Sequence, residues 1–385
     1  MSEKNREHYA DKIIKHRLRK LYAAVLVLII IGAVCAIIWI GQKNRIYTMT
    51  EVLSEHPRQT SASARSMLLG DCILTYSNDG ASCSDAKGKT IWNQTYEMQN
   101  PIVSVCENVV AIGDYNGRQI YIMNTEKCLS TISTNLPIRG LSVSGDGIVA
   151  AVLDDADITW VNLYNSKGEN PVNFKTTMSQ SGYPLAVSLS PNSTLVSISY
   201  VAPQDNGIKS SVAFYNFDEV GQNEIDNYMS GYDYQTIVPH VEFMTSELAY
   251  ALADDRLMFY EGGQKPMSKA EVLLEDEIQA AYHNEQYVGL VSYDTSGNNK
   301  YMLRLYDSEG NNKCNQGFDV EYKNIILSGE NIYIYGETEC LIYNTFGIQK
   351  YAGTMEKSIN LLIPGNQVDR LTLVSYDVIQ NLQLK

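Results

Sequence analysis

Histidine and tryptophan are scarce, with 5 and 3 residues in a chain of 385. Beyond residue 45 only His56, His240 and His283 remain. No His-Glu-x-x-His, no Gly-x-Ser-x-Gly and no phosphate-binding Gly-rich loop is present, which removes the zinc protease, serine hydrolase and nucleotide-hydrolase readings. No Cys-x-x-Cys occurs. Cys72, Cys83, Cys106, Cys128, Cys314 and Cys340 are widely spaced and read as buried thiols rather than a disulfide framework. Positive charge is in deficit: 30 Lys and Arg face 44 Asp and Glu, a net charge of −14. Nucleic-acid binding needs clustered cations to displace counterions from phosphates, so that class is excluded. Beyond residue 41 no long helical period appears, which argues against a helical domain.

One apolar run is long. Residues 21–40, LYAAVLVLIIIGAVCAIIWI, carry no charge and are enough to cross about 30 Å of hydrocarbon as a helix. Tyr22 and Trp39 stand at its two ends, where interfacial aromatics belong. Lys12, Lys15, Arg17, Arg19 and Lys20 precede it, and this excess places the N-terminus in the cytoplasm. The run is too long for a cleaved signal peptide and lacks a small-x-small site, so an uncleaved signal anchor in the cell membrane is expected. Residues 1–45 carry +6 and the rest carry −20. The expected organisation is a basic cytoplasmic tail (1–20), a transmembrane helix (21–41), a juxtamembrane linker (42–61) and an extracytoplasmic domain (62–385).

What fills that domain is short alternating strands between turn residues, the mark of an all-β fold. One apolar strand type recurs eight times, in CILTY at 72–76, VVAIGD at 109–114, IVAAVLDD at 148–155, LVSISYV at 195–201, LAYALADD at 248–255, YVGLVSYD at 287–294, IYIYGETE at 332–339 and LTLVSYD at 371–377. A second strand follows and leads into Asp/Asn-x-x-Gly, at Asp85, Asn165, Asp218, Asp307 and Asn344, with degenerate forms at Asn124 and Glu261. There Asp or Asn bonds its own downstream backbone and glycine takes a left-handed conformation. Pro101, Pro137, Pro184 and Pro239 open strands, where no ladder hydrogen bond is needed. A period of about 43 residues with four strands per unit describes a β-propeller. Eight blades are expected, with seven as the alternative. The last unit supplies about three strands; residues 45–53 supply the fourth and close the ring, or else form a juxtamembrane helix with Thr48 and Glu51 at capping-box spacing.

The stretch SCSDAKGKTIWNQTY at 82–96 resembles the repeat of quinoprotein-like and WD-type propellers, whose Trp docks on the next blade. The whole layout, a basic tail, one span and a Tyr-rich acidic propeller, is similar to an uncharacterised family of membrane-anchored propeller proteins of clostridia-like Gram-positive bacteria. That resemblance implies an extracytoplasmic propeller and no particular activity.

Two groups of residues are candidates for function. Turns between the second and third strands carry Asp79, Asp114, Asp154, Asp155, Asp157, Asp205, Asp254, Asp255, Asp294, Glu337, Glu339 and Asp377. Strand alternation puts these turns on one face, where a ring of carboxylates suits a basic partner or Ca²⁺. A closing strand from the N-terminal side would meet the opposite face. Innermost strands offer Arg65, Arg139, His240, Glu242 and Lys323, with Gln279, Asn324 and Asn360, as polar groups of a central channel. The expected function is a non-catalytic protein-binding or scaffolding module at the cell envelope, without a cofactor. The alternatives are a quinone-dependent or glycan-acting enzyme, the latter using a carboxylate such as Glu242, and a sensory ectodomain.

Overall fold

The computed structural model describes residues 20, 22, 25–34, 41 and 45–385, apart from 156–157, 178–180 and 205–206. The chain divides into two units, Met1–Tyr47 and Thr48–Lys385. In the first, residues 25–34 are helical. Among the described residues no helix is long and apolar enough to cross a membrane; much of the expected 21–41 span, with Trp39, lies outside them, as do residues 1–19.

The second unit is a ring of eight four-stranded antiparallel sheets. Blades 1 to 7 span 65–95, 101–133, 138–177, 183–234, 240–273, 278–318 and 324–354. Blade 8 takes three strands from 361–384, and Thr50–Pro57 pairs with Val378–Leu384 as its outermost strand. The count of eight holds, and the ring closes with a strand. The helix alternative at Thr48 and Glu51 is overturned: Glu51 lies in the ladder opposite Gln383. The β-branched and apolar residues of Val378–Leu384 offer an unpaired edge, and a helix there would leave that edge open.

Burial explains the strand composition. Second strands such as Val109–Asp114 are buried at nearly every position because a neighbouring blade covers each face. Outermost strands such as Thr90–Thr95 alternate toward water. The core is accordingly built between blades. Ala111 and Ile122 of blade 2 pack with Val149 and Ala151 of blade 3, and Phe214 of blade 4 packs with Tyr260 of blade 5. Trp92 on the last strand of blade 1 donates its indole N–H to the Asn124 carbonyl of blade 2, 2.8 Å away.

The turns between third and fourth strands repeat in atomic detail. Asp85 Oδ1 accepts from the N–H groups of Lys87 and Lys89, each at 2.9 Å, with Gly88 at φ +79°. Asn165, Asp307 and Asn344 bond the second and fourth residues beyond them in the same way. Blade 4 departs from the expected pattern. There Asn216, not Asp218, caps the turn, and two short 3-10 turns at Gly221–Asn223 and Ile225–Asn227 follow. The spacing from Asn165 to this turn is long because the second and third strands of blade 4, Leu195–Gln204 and Gly207–Asn216, have ten residues each. Glu261 simply ends its strand, Arg256–Glu261.

Candidate functional site

Antiparallel alternation gives the wheel two distinct faces. Turns from first to second strand, and from third to fourth, lie on one face, termed here the first-turn face. Turns from second to third strand lie on the other. The closing strand starts at Thr50 beside Leu384 and ends at Pro57 beside Val378, so the chain enters on the first-turn face.

On the second-to-third-turn face, most of the described candidate carboxylates already have partners. Asp154 is paired with Arg139 at 2.9 Å, Asp255 with Arg256 at 2.7 Å, Asp377 with Lys357 at 2.7 Å, and Glu337 with Lys323. Asp114 accepts from the N–H groups of Gln99 and Asn100. Asp294 is held by Ser296 and Asn299, and the Ser296 hydroxyl draws its carboxyl down to about 2. Asp79, Asp254 and Glu339 are exposed. The side chain of Asp155, and all of Asp157 and Asp205, lie outside the described residues. No group of three metal-ligating side chains suited to an ion occurs among the described residues.

The innermost strands enclose the axis. One cavity of about 680 Å³ is lined by first strands of blades 2 to 6, and another of about 760 Å³ by those of blades 7, 8 and 1. The channel candidates divide between them. Arg65 and Lys323 line the second cavity. Asn324 bonds Tyr335, and Asn360 bonds the Ala64 carbonyl, so both are structural. Arg139 is occupied by Asp154 and lies over the Tyr115 ring. Gln279 is exposed.

Glu242 lines the first cavity, and its setting follows from a ladder of serines. The Val143 N–H donates to Ser104 Oγ at 3.0 Å, the Leu189 N–H to Ser142 at 2.9 Å, and the Phe243 N–H to Ser188 at 3.1 Å. Each bond ties the innermost strand of one blade to that of the next. The residue preceding the donor is Ser142, then Ser188, then Glu242, so Glu242 stands where a fourth serine would continue the ladder. Its Oε2 instead meets His240 Nε2 at 3.2 Å, the Tyr250 hydroxyl at 3.3 Å and His283 Nδ1 at 3.4 Å. Tyr250 also bonds His240 at 2.9 Å. Two of the three histidines beyond residue 45 thus converge on one carboxylate. Sequence reasoning named His240 and Glu242 and missed Tyr250 and His283, which come from neighbouring strands and the next blade.

Burial opposes ionisation of Glu242, but the His240 hydrogen bond and the nearby His283 outweigh it and hold the carboxyl below its usual range. Burial also lowers His283, against the pull of Glu242. Both shifts have the same sign for stability. The fold prefers neutral His283, so stability declines as pH drops below about 6.5, the ordinary histidine value. It prefers ionised Glu242, whose contribution is lost at still lower pH as the carboxyl protonates. Thermal unfolding scans should show a lower midpoint at pH 5 than at pH 7.5, and His283→Gln should narrow that difference.

A second feature had a sequence signal that was not read. Seven of the eight turns between first and second strands carry a carboxylate: Asp71, Glu107, Asp146, Glu247, Glu285, Glu330 and Asp369. None of the eight contains Lys or Arg. These turns surround the channel mouth, and Glu107, Glu247 and Glu285 border the first cavity.

An eight-bladed β-propeller with an acidic channel mouth is the class these features define. The chain belongs to a family of unknown function, DUF5711, whose model matches residues 43–384. No curated protein matches it. Among solved structures it is similar to Kluyveromyces lactis Hsv2, at 9% identity and TM-score 0.50 over 76% of this chain and 98% of that one. It is also similar to a eukaryotic initiation factor, at 11% identity and TM-score 0.47 over 79% and 91%. A third is BBS1N, solved in complex with ARL6DN, at 8% identity and TM-score 0.45 over 89% and 97%. At such identities the likeness concerns the fold alone.

Proposed function

We propose that this chain is a membrane-anchored, extracytoplasmic and non-catalytic propeller that captures a basic protein partner at its first-turn face. The observation that supports the reading best is the charge layout of the axis. A cavity of about 680 Å³ opens among carboxylates, and the first-to-second turns around it hold no Lys or Arg. On the opposite face four of the described candidate carboxylates, Asp154, Asp255, Glu337 and Asp377, are already paired with cations, which leaves less charge there to attract a partner. Anchoring is supported by the uncharged run at 21–40 and the basic residues before it.

Pull-down from detergent extracts of a native host membrane tests the reading. A stoichiometric partner should be recovered at low salt and lost progressively as salt rises, since exposed charges are screened. The triple variant Glu107→Gln, Glu247→Gln, Glu285→Gln should weaken capture at least tenfold, whereas Asp154→Asn with Asp255→Asn should leave it unchanged. Capture that survives the first variant, or fails in the second alone, would overturn this assignment of the binding face.

A further inference from the structure

The first cavity has an inner wall that differs chemically from its rim. Ser142 and Ser188 line it and are only 8% and 5% exposed. Each hydroxyl oxygen accepts one backbone N–H, which leaves a second lone pair. No described residue accepts the hydroxyl proton of either. These are buried polar groups with one lone pair and the hydroxyl proton unused, facing a space of about 680 Å³.

Glu242 completes this wall. All three of its side-chain partners meet Oε2. Its Oε1 has no partner among the described residues. The side chain is 42% exposed, and that exposure is to the channel. His240, Tyr250 and His283 fix one oxygen and leave the other presented to the cavity. The carboxylate is ionised at neutral pH, and no Lys or Arg lines the cavity.

We infer that this cavity binds a primary alkylammonium group, with Glu242 Oε1 as its counter-ion and the Ser142 and Ser188 oxygens as further acceptors. An ammonium brings three donors and no acceptor, which matches a wall of one free carboxylate oxygen and two half-used hydroxyl oxygens. An anion is disfavoured by Glu242 and also by Glu107, Glu247 and Glu285, and these last three have no ion-pair partner among the described residues. The inference rests on the reading of the first-turn mouth as the binding face and names the group received there. The ammonium has two possible sources: a lysine side chain of the partner, or a free polyamine entering the channel.

The test uses the full chain in detergent and isothermal titration with four probes. These are spermidine, a short lysine-containing peptide, the same peptide acetylated on its lysines, and sorbitol. Spermidine, the lysine peptide or both should bind, and the acetylated peptide and sorbitol should not. Binding by the peptide alone identifies a lysine side chain as the source, and binding by spermidine alone identifies a free polyamine. Glu242→Gln should weaken the binding at least tenfold, with Asp154→Asn as an unaffected control. The acetylated peptide needs no variant, so the result stands even if Glu242→Gln unfolds. Equal binding of acetylated and free peptide, binding of sorbitol, or no binding of either amine would overturn the inference. Partner capture that persists while no amine binds would sink the ammonium site and leave the proposed binding face standing. Loss of both would remove the two together.

Discussion

Replacing Arg58 with alanine is expected to destabilise the propeller by about 3 kcal/mol, the cost of stranding buried acceptors. Arg58 directly follows the closing strand and is only 8% exposed. Its guanidinium donates to the Ser375 carbonyl of blade 8 at 3.0 Å and to Ser66 Oγ of blade 1 at 2.9 Å. It also bonds Thr75 Oγ1 of blade 1. The one side chain therefore ties the last blade to the first. Burial pulls its pKa down to about 10, still far enough above neutrality for the charge to persist. No carboxylate pairs with it among the described residues, so its hydrogen bonds alone offset the desolvation. Arg58→Lys supplies a single point of donation in place of a fork and should recover only part of the loss. Urea unfolding followed by tyrosine fluorescence measures this. A midpoint unchanged in Arg58→Ala would mean that the blade 8–blade 1 seam is held by apolar packing, such as that of Ile73 with Leu361 and Val374, without Arg58.

Truncating Tyr260 to alanine should cost more, about 4 kcal/mol, in line with large aromatic deletions in packed interiors. Tyr260 is fully buried between blades 4 and 5. Its ring centroid lies 5.0 Å from that of Phe214 and 5.1 Å from that of Tyr232. Its hydroxyl meets that of Tyr234 at 2.7 Å. Tyr260→Phe keeps the ring and removes that bond together with a weaker one to Met258 Sδ, so about 1 kcal/mol is expected. The contrast between the two substitutions separates ring packing from the hydroxyl pair. Equal losses would show that the bond, not the aromatic contact, holds these blades together.

How much of this was readable beforehand depends on whether a feature is local along the chain. Asp85 with Gly88 and Asn344 with Gly347 close turns within four residues, so their spacing announced the repeat and the eight blades. The swap from Asp218 to Asn216 was hidden because both residues suit a turn and the insertion after them carries no strand period. The closing strand was ambiguous because Thr48 and Glu51 also suit a helix start; only an unpaired edge more than 300 residues away decides the matter. The acidic face was judged from turn composition alone. Its cations arrive from elsewhere: Arg139 from an innermost strand, Lys323 and Lys357 from segments linking blades. Glu242 was picked out for its charge on an innermost strand. The convergence of His283 upon it depends on the angle between two blades, which no spacing in the chain encodes.

The pairing of Thr50–Pro57 with Val378–Leu384 has a temporal side. Glu55 waits 325 residues for the Gln380 side chain that it bonds. At ribosomal speeds that gap takes on the order of half a minute. Throughout it, the earliest-made piece of the ring has an exposed ladder and no mate. The ring can therefore close only after Val378–Leu384 has left the ribosome.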